Sequence, residues 1–100
     1  MNINTTTDDK KILIALEGWL DTASAPDLTA VIDGITEAAS ITMDFDKVEY
    51  IASSGVRSII AGYRKANELG ALYSIINVST EIMNIFKLTQ IDKKFNIQAK

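Results

Sequence analysis

Apolar residues along this chain switch between two spacings, every second position and every third or fourth, and the switches lay out its elements. Ile12, Ile14 and Leu16 alternate with Leu13 and Ala15, which predicts a strand over Lys11 to Leu16 with apolar side chains on both faces, placed inside a sheet. Asp8-Asp9-Lys10 before it is a turn signal, and Ile3 to Thr6 is expected to pair as the outer arm of a hairpin. Gly18 and Asp21 to Ser24 are predicted as loop, and Pro26 suits the first turn of a helix capped by Ser24 or Ala25. Leu28, Val31, Ile32, Ile35 and Ala39 mark one face of that helix, with Gly34 inside it costing about 1 kcal/mol relative to Ala.

Ile41, Met43 and Phe45 return to strand spacing. Val56, Ile59, Ile60, Tyr63 and Ala66 predict a second helix from about Ser54 to Leu69, stopped by Gly70. Leu72 to Val78 is a further strand. Ser79 is placed to cap a short helix, Thr80 to Lys87, that buries Ile82, Ile85 and Phe86, and Phe95 to Ile97 is a last extended piece. The order β-β-α-β-α-β-α, with room for a terminal strand, predicts an α/β fold. Its mixed sheet of four to five strands begins with an antiparallel hairpin and continues through right-handed crossovers.

Composition narrows the function. At 100 residues and 47% hydrophobic content the chain is one globular domain, residues 1–100, too apolar to be disordered. A net charge of −3 and the absence of any basic cluster argue against a nucleic-acid partner. With no cysteine there is neither a disulfide framework nor a thiolate metal site, and with no histidine there is no Ser-His-Asp triad. No glycine-rich phosphate loop is present, so neither a metal nor a nucleotide cofactor is expected. The first residues have no apolar signal-peptide core, and no run approaches about 18 apolar residues. A cytoplasmic protein with no membrane partner is expected.

Chemistry concentrates in one turn. Ala52-Ser53-Ser54-Gly55 follows an extended segment and precedes the second helix. The first N–H groups of a helix lack intrahelical partners and favour negative charge. A serine there can cap the helix, and capping alone would explain it; the same amides would also hold a phosphate. Asp44, Asp46 and Glu49 are expected to be surface carboxylates, and Met43 and Met83 to be core. Trp19 is expected to cover the end of the core or to anchor an interface. Arg57 and Arg64, seven residues apart, fall on one helical face, where Arg57 could meet a partner or a phosphate.

These motifs resemble a known family. Asp44-Phe45-Asp46-Lys47-Val48-Glu49-Tyr50-Ile51-Ala52-Ser53-Ser54-Gly55-Val56 is similar to the signature of the STAS-domain anti-sigma factor antagonists. So is Gly18-Trp19-Leu20-Asp21 with Ala25 and Leu28, and so is the closing stretch from Ile85 to Ile97. The resemblance covers nearly the whole chain and implies a small α/β sandwich that is not an enzyme. It implies Ser53 as phosphoacceptor and a partner surface of Asp21, Thr22, Ser53, Ser54, Gly55, Val56 and Arg57. The implied partners are an anti-sigma factor with serine kinase activity, which supplies the ATP, and a phosphatase for reset. One departure stands out: Ala52 occupies a position that family members usually fill with an acidic residue, so slow phosphorylation is expected. The alternative is a non-phosphorylated STAS docking subunit of a bacterial lipid-transport ABC complex.

Overall fold

A computed structural model describes residues 1–94 and 96–100. Five strands, β1 (Asn2–Asp8), β2 (Lys11–Leu20), β3 (Ser40–Ile51), β4 (Leu72–Val78) and β5 (Asn96–Ala99), form one sheet in the order β1-β2-β3-β4-β5. Between them run α1 (Ala25–Asp33), α2 (Ser53–Leu69) and α3 (Thr80–Leu88), and a short 3-10 turn, Ile91–Lys93, precedes β5. β1 is antiparallel to β2, and every later pair is parallel. The hairpin turn is Asp9-Lys10, both with positive φ, the geometry that matches strand twist. The last extended piece is β5 from Asn96; Phe95 lies outside the described residues.

Because each parallel strand is added on the same side of its predecessor, right-handed crossovers carry all three helices to one face. That face holds the core. Ile12, Ile14 and Leu16 of β2, Ile41, Met43 and Phe45 of β3, and Tyr73 and Ile75 of β4 are buried there. Leu28 and Ile32 of α1, Val56, Ile59 and Ala66 of α2, and Ile82 and Phe86 of α3 meet them from above. Phe45 and Phe86 lie with ring centroids 5.9 Å apart, and the Tyr73 hydroxyl donates to the Ile59 carbonyl at 2.8 Å. Among the described residues the other sheet face has no helix over it, so Leu13 is exposed although β2 is an interior strand. Its apolar pattern on both sides does not mean burial on both sides.

Two further expectations are corrected. α1 ends at Asp33 instead of continuing to Ala39: the Gly34 N–H closes onto the Ala30 carbonyl and the Ile35 N–H onto the Ile32 carbonyl. Ile35 and Ala38 are still buried, but as part of the connection to β3, and Ala39 is exposed. Gly18, expected in a loop, lies inside β2. Its φ of +106° accommodates a register shift against β3, which carries the strand on to Leu20. α3 follows expectation: the Ser79 side chain accepts from the Ile82 N–H.

Candidate functional site

β2, β3 and β4 are parallel, so the loops leaving their C-terminal ends gather at one edge of the sheet. The Ala52 N–H donates to the Leu20 carbonyl at 2.9 Å, tying the start of α2 directly to the end of β2. Gly55 makes this close approach sterically feasible. A Cβ there would lie 2.7 Å from the Leu20 carbonyl oxygen, 2.8 Å from Leu20 Cγ and 2.9 Å from Ile51 Cγ1.

The helix cap is not a serine. Ala52 is the N-cap of α2, in extended conformation, and no side chain closes the cap. Ser53 is the first residue of the helix, one position too late to cap it. It is exposed, and its hydroxyl makes no hydrogen bond within the described residues. The capping explanation for Ser53 is therefore set aside. Ser54 faces the other loop, its hydroxyl 3.2 Å from that of Thr22.

The loop that supplies Thr22 is built by Asp21. Asp21 Oδ1 accepts the N–H groups of Ala23 and Ser24, each at 3.1 Å. The Ser24 backbone N–H does most to hold the Asp21 carboxyl below its ordinary value, helped by the Ser24 hydroxyl and the Ala23 N–H. Ser24 is buried. Its hydroxyl accepts from the Asp21 N–H at 2.9 Å and sits 2.7 Å from the Trp19 carbonyl oxygen. The Asp21 carboxylate is thus turned inward onto its own loop, where it shapes the surface that Thr22 presents.

Of the residues assigned to the partner surface, Thr22, Ser53 and Arg57 are exposed, and Asp21 and Ser54 are half-buried beside them. Gly55 and Val56 are buried. Their contribution is to seat α2: Gly55 lies against Leu20 and Ile51, and Val56 is part of the core. Trp19 covers no core: it is 57% exposed and lies against Tyr50, ring centroids 5.2 Å apart. Trp19 and Tyr50 are register partners across β2 and β3. Tyr50, Ser53, Val56, Arg57, Ile85 and Thr89 border a cavity of about 410 Å³. Beyond it, Leu88 is 84% exposed at the end of α3.

Sequence reasoning named Ser24 as a cap of α1, where it sits, but missed the bonds its hydroxyl makes within the loop, and it missed Ser58 and Tyr50. Ser58 is buried between α1 and α2, its hydroxyl 3.3 Å from both the Ala25 and Ser54 carbonyls and 3.2 Å from Thr29 Oγ1. Ser24 was detectable, three residues after an Asp in a turn. Tyr50 was not, since its neighbour is set by strand register. Among the described residues no group of three or more acidic side chains is placed to hold a metal ion, and no helix is long and apolar enough to cross a membrane.

The STAS domain family model matches residues 2–100, almost the whole chain. The chain belongs to the STAS domain family. A curated relative, the anti-sigma-B factor antagonist of Staphylococcus aureus, is 28% identical over 91 residues, covering 89% of this chain and 84% of that protein. Among solved structures, a putative anti-sigma factor antagonist from Thermotoga maritima superposes with a TM-score of 0.89 at 16% identity, over 98% of this chain and 86% of that one. The Bacillus cell fate determinant SpoIIAA in its phosphorylated form superposes at 0.75 and 18% identity, over 99% and 92%. The two solved structures share the STAS fold with this chain, a mixed five-stranded sheet with three helices on one side here.

Proposed function

We propose that this STAS domain is an anti-sigma factor antagonist. Its surface around Ser53 binds an anti-sigma factor that is also a serine kinase, and phosphorylation of Ser53 releases that partner. The observation that carries the proposal is the placement of Ser53: exposed, without a hydrogen bond from its hydroxyl among the described residues, and first in α2, beside Ser54 and one turn from Arg57. A hydroxyl with no structural duty is available for modification. The name of the Staphylococcus aureus relative supports the antagonist reading, and the phosphorylated Bacillus neighbour supports a phosphoacceptor in this fold.

The partner supplies ATP and the catalytic groups. Its base takes the Ser53 hydroxyl proton, the Oγ–P bond forms, and ADP leaves. A phosphatase later hydrolyses the ester. The phosphate adds about −1.5 to −2 charge to a packed interface. Desolvating that charge in the interface costs about 2–5 kcal/mol, a loss of about 30-fold to several thousand-fold in affinity.

Titration calorimetry of the cognate anti-sigma factor against wild type, Ser53→Ala and Ser53→Asp tests this. Ser53→Ala is expected to bind at least as tightly as wild type and Ser53→Asp far more weakly. Equal affinities for all three would remove the switch. Ala52 in place of an acidic neighbour would then favour the docking subunit of a lipid-transport ABC complex.

A further inference from the structure

We propose that Arg57 is the intramolecular partner of a phosphate on Ser53, so that modification also withdraws the guanidinium from the partner surface. The proposal rests on the phosphorylation reading above and adds a second component to the switch. Ser53 and Arg57 are four residues apart in α2, the spacing that brings two side chains together on one helical face. Both border the 410 Å³ cavity. Among the described residues no carboxylate lines it: from β3 the titratable group is Tyr50, and α3 and the residue after it contribute Ile85 and Thr89, both uncharged.

Arg57 is exposed and makes no ion pair among the described residues, whereas Lys10 and Lys100 are engaged with Glu37 and Asp46. On its other side Arg57 borders the groove between α1 and α2, where Asp33 is the one carboxylate in the lining among the described residues, and the two are not paired. An uncommitted guanidinium therefore stands one turn from an uncommitted hydroxyl. Guanidinium and phosphate pair through two parallel hydrogen bonds, and a dianion one turn away outcompetes a single carboxylate across a solvated groove. The modified surface then changes twice: it gains a phosphate and loses an available cation. A partner that used Arg57 in the unmodified form would find it occupied.

Phosphoserine installed at position 53 through a suppressed stop codon gives the modified chain without any kinase. Phosphorus NMR then follows the titration of the phosphate in that protein and in its Arg57→Gln and Arg64→Gln variants. The phosphate is expected to titrate below the ordinary value of about 6. Arg57→Gln should raise it by about 0.3–0.7 pH unit, the size of one exposed ion pair, and Arg64→Gln should leave it in place. The start of the helix is common to all three proteins, so the difference isolates the side chain. Identical titrations in wild type and Arg57→Gln, with unchanged circular dichroism, would overturn the proposal. Failure of the phosphorylation reading shows elsewhere, as a cognate kinase that binds the chain yet leaves Ser53 unmodified.

Discussion

Gly55→Ala is the sharpest test of how α2 is seated. In a helix, glycine-to-alanine ordinarily stabilises by about 0.5–1 kcal/mol, because glycine loses more backbone freedom on folding. At Gly55 the new methyl would meet the Leu20 carbonyl oxygen at 2.7 Å, Leu20 Cγ at 2.8 Å and Ile51 Cγ1 at 2.9 Å. None of these gives way cheaply: one is backbone, and Leu20 and Ile51 are 0% and 2% exposed. Overpacking of this kind costs about 1–3 kcal/mol, and a backbone contact belongs at the upper end. After the helical gain is subtracted, about 1–2 kcal/mol of destabilisation remains, which lowers Tm by about 4–16 °C in a domain of this size. Gly34→Ala is the matched control. Its methyl would meet only the Val31 and Ala30 carbonyl oxygens at 3.5 and 3.6 Å, ordinary contacts, at a φ of −75° that alanine accepts. It should stabilise by about 0.4–1 kcal/mol. Thermal unfolding of both variants, followed by circular dichroism in one buffer, decides the matter. A Gly55→Ala protein melting at or above wild type would refute the close-approach argument, and so would an equal fall in both variants.

Other outcomes follow from the site. The Ser24 backbone N–H holds the Asp21 carboxyl below its ordinary value of 3.8, so the folded state binds fewer protons than the unfolded chain as pH falls toward that value. Its contribution is complete above 3.8 and disappears as pH falls through the lower folded value; acid unfolding below about pH 5 should therefore be shallower in Asp21→Asn than in wild type. Ala52→Asp should accelerate phosphorylation of Ser53 by about ten-fold or more, since a carboxylate can orient the acceptor hydroxyl; mass-spectrometric time courses with kinase and Mg-ATP measure it. Trp19→Ala should weaken partner binding by about ten-fold or more while leaving Tm nearly unchanged, because the ring is exposed; calorimetry and melting curves together separate the two effects.

Local signals in the chain foretold most of the fold. Ser79, Gly70 and the alternation at Ile41, Met43 and Phe45 mark boundaries that depend on near neighbours, and the structure places them as expected. What was hidden depends on partners distant in sequence. Gly18 looked like a loop residue because its strand role is defined by the shifted register against β3. Leu13 looked buried because nothing in one strand reveals on which side the helices will lie. Ser53 was legible as a special position, but its helical place was off by one, and one residue separates a cap from a free hydroxyl. The inward turn of Asp21 needed only the local geometry of its loop.

The sequential order of strands also gives the molecule two ends with different freedoms. The Asp21–Ser24 loop, the Ala52 turn and the Ser79 cap all gather at the end where β2, β3 and β4 terminate. The Asp9-Lys10 hairpin and the Gly70-Ala71 connection lie at the opposite end, and a methyl on Gly70 would meet nothing within 4 Å. Tethers, fluorophores or whole domains spliced in at Gly70 would project away from Ser53. Fusions joined at Asn2 or Ala99 would instead emerge at the switch end, where Asn2 pairs with Glu17 and Ala99 with Val78.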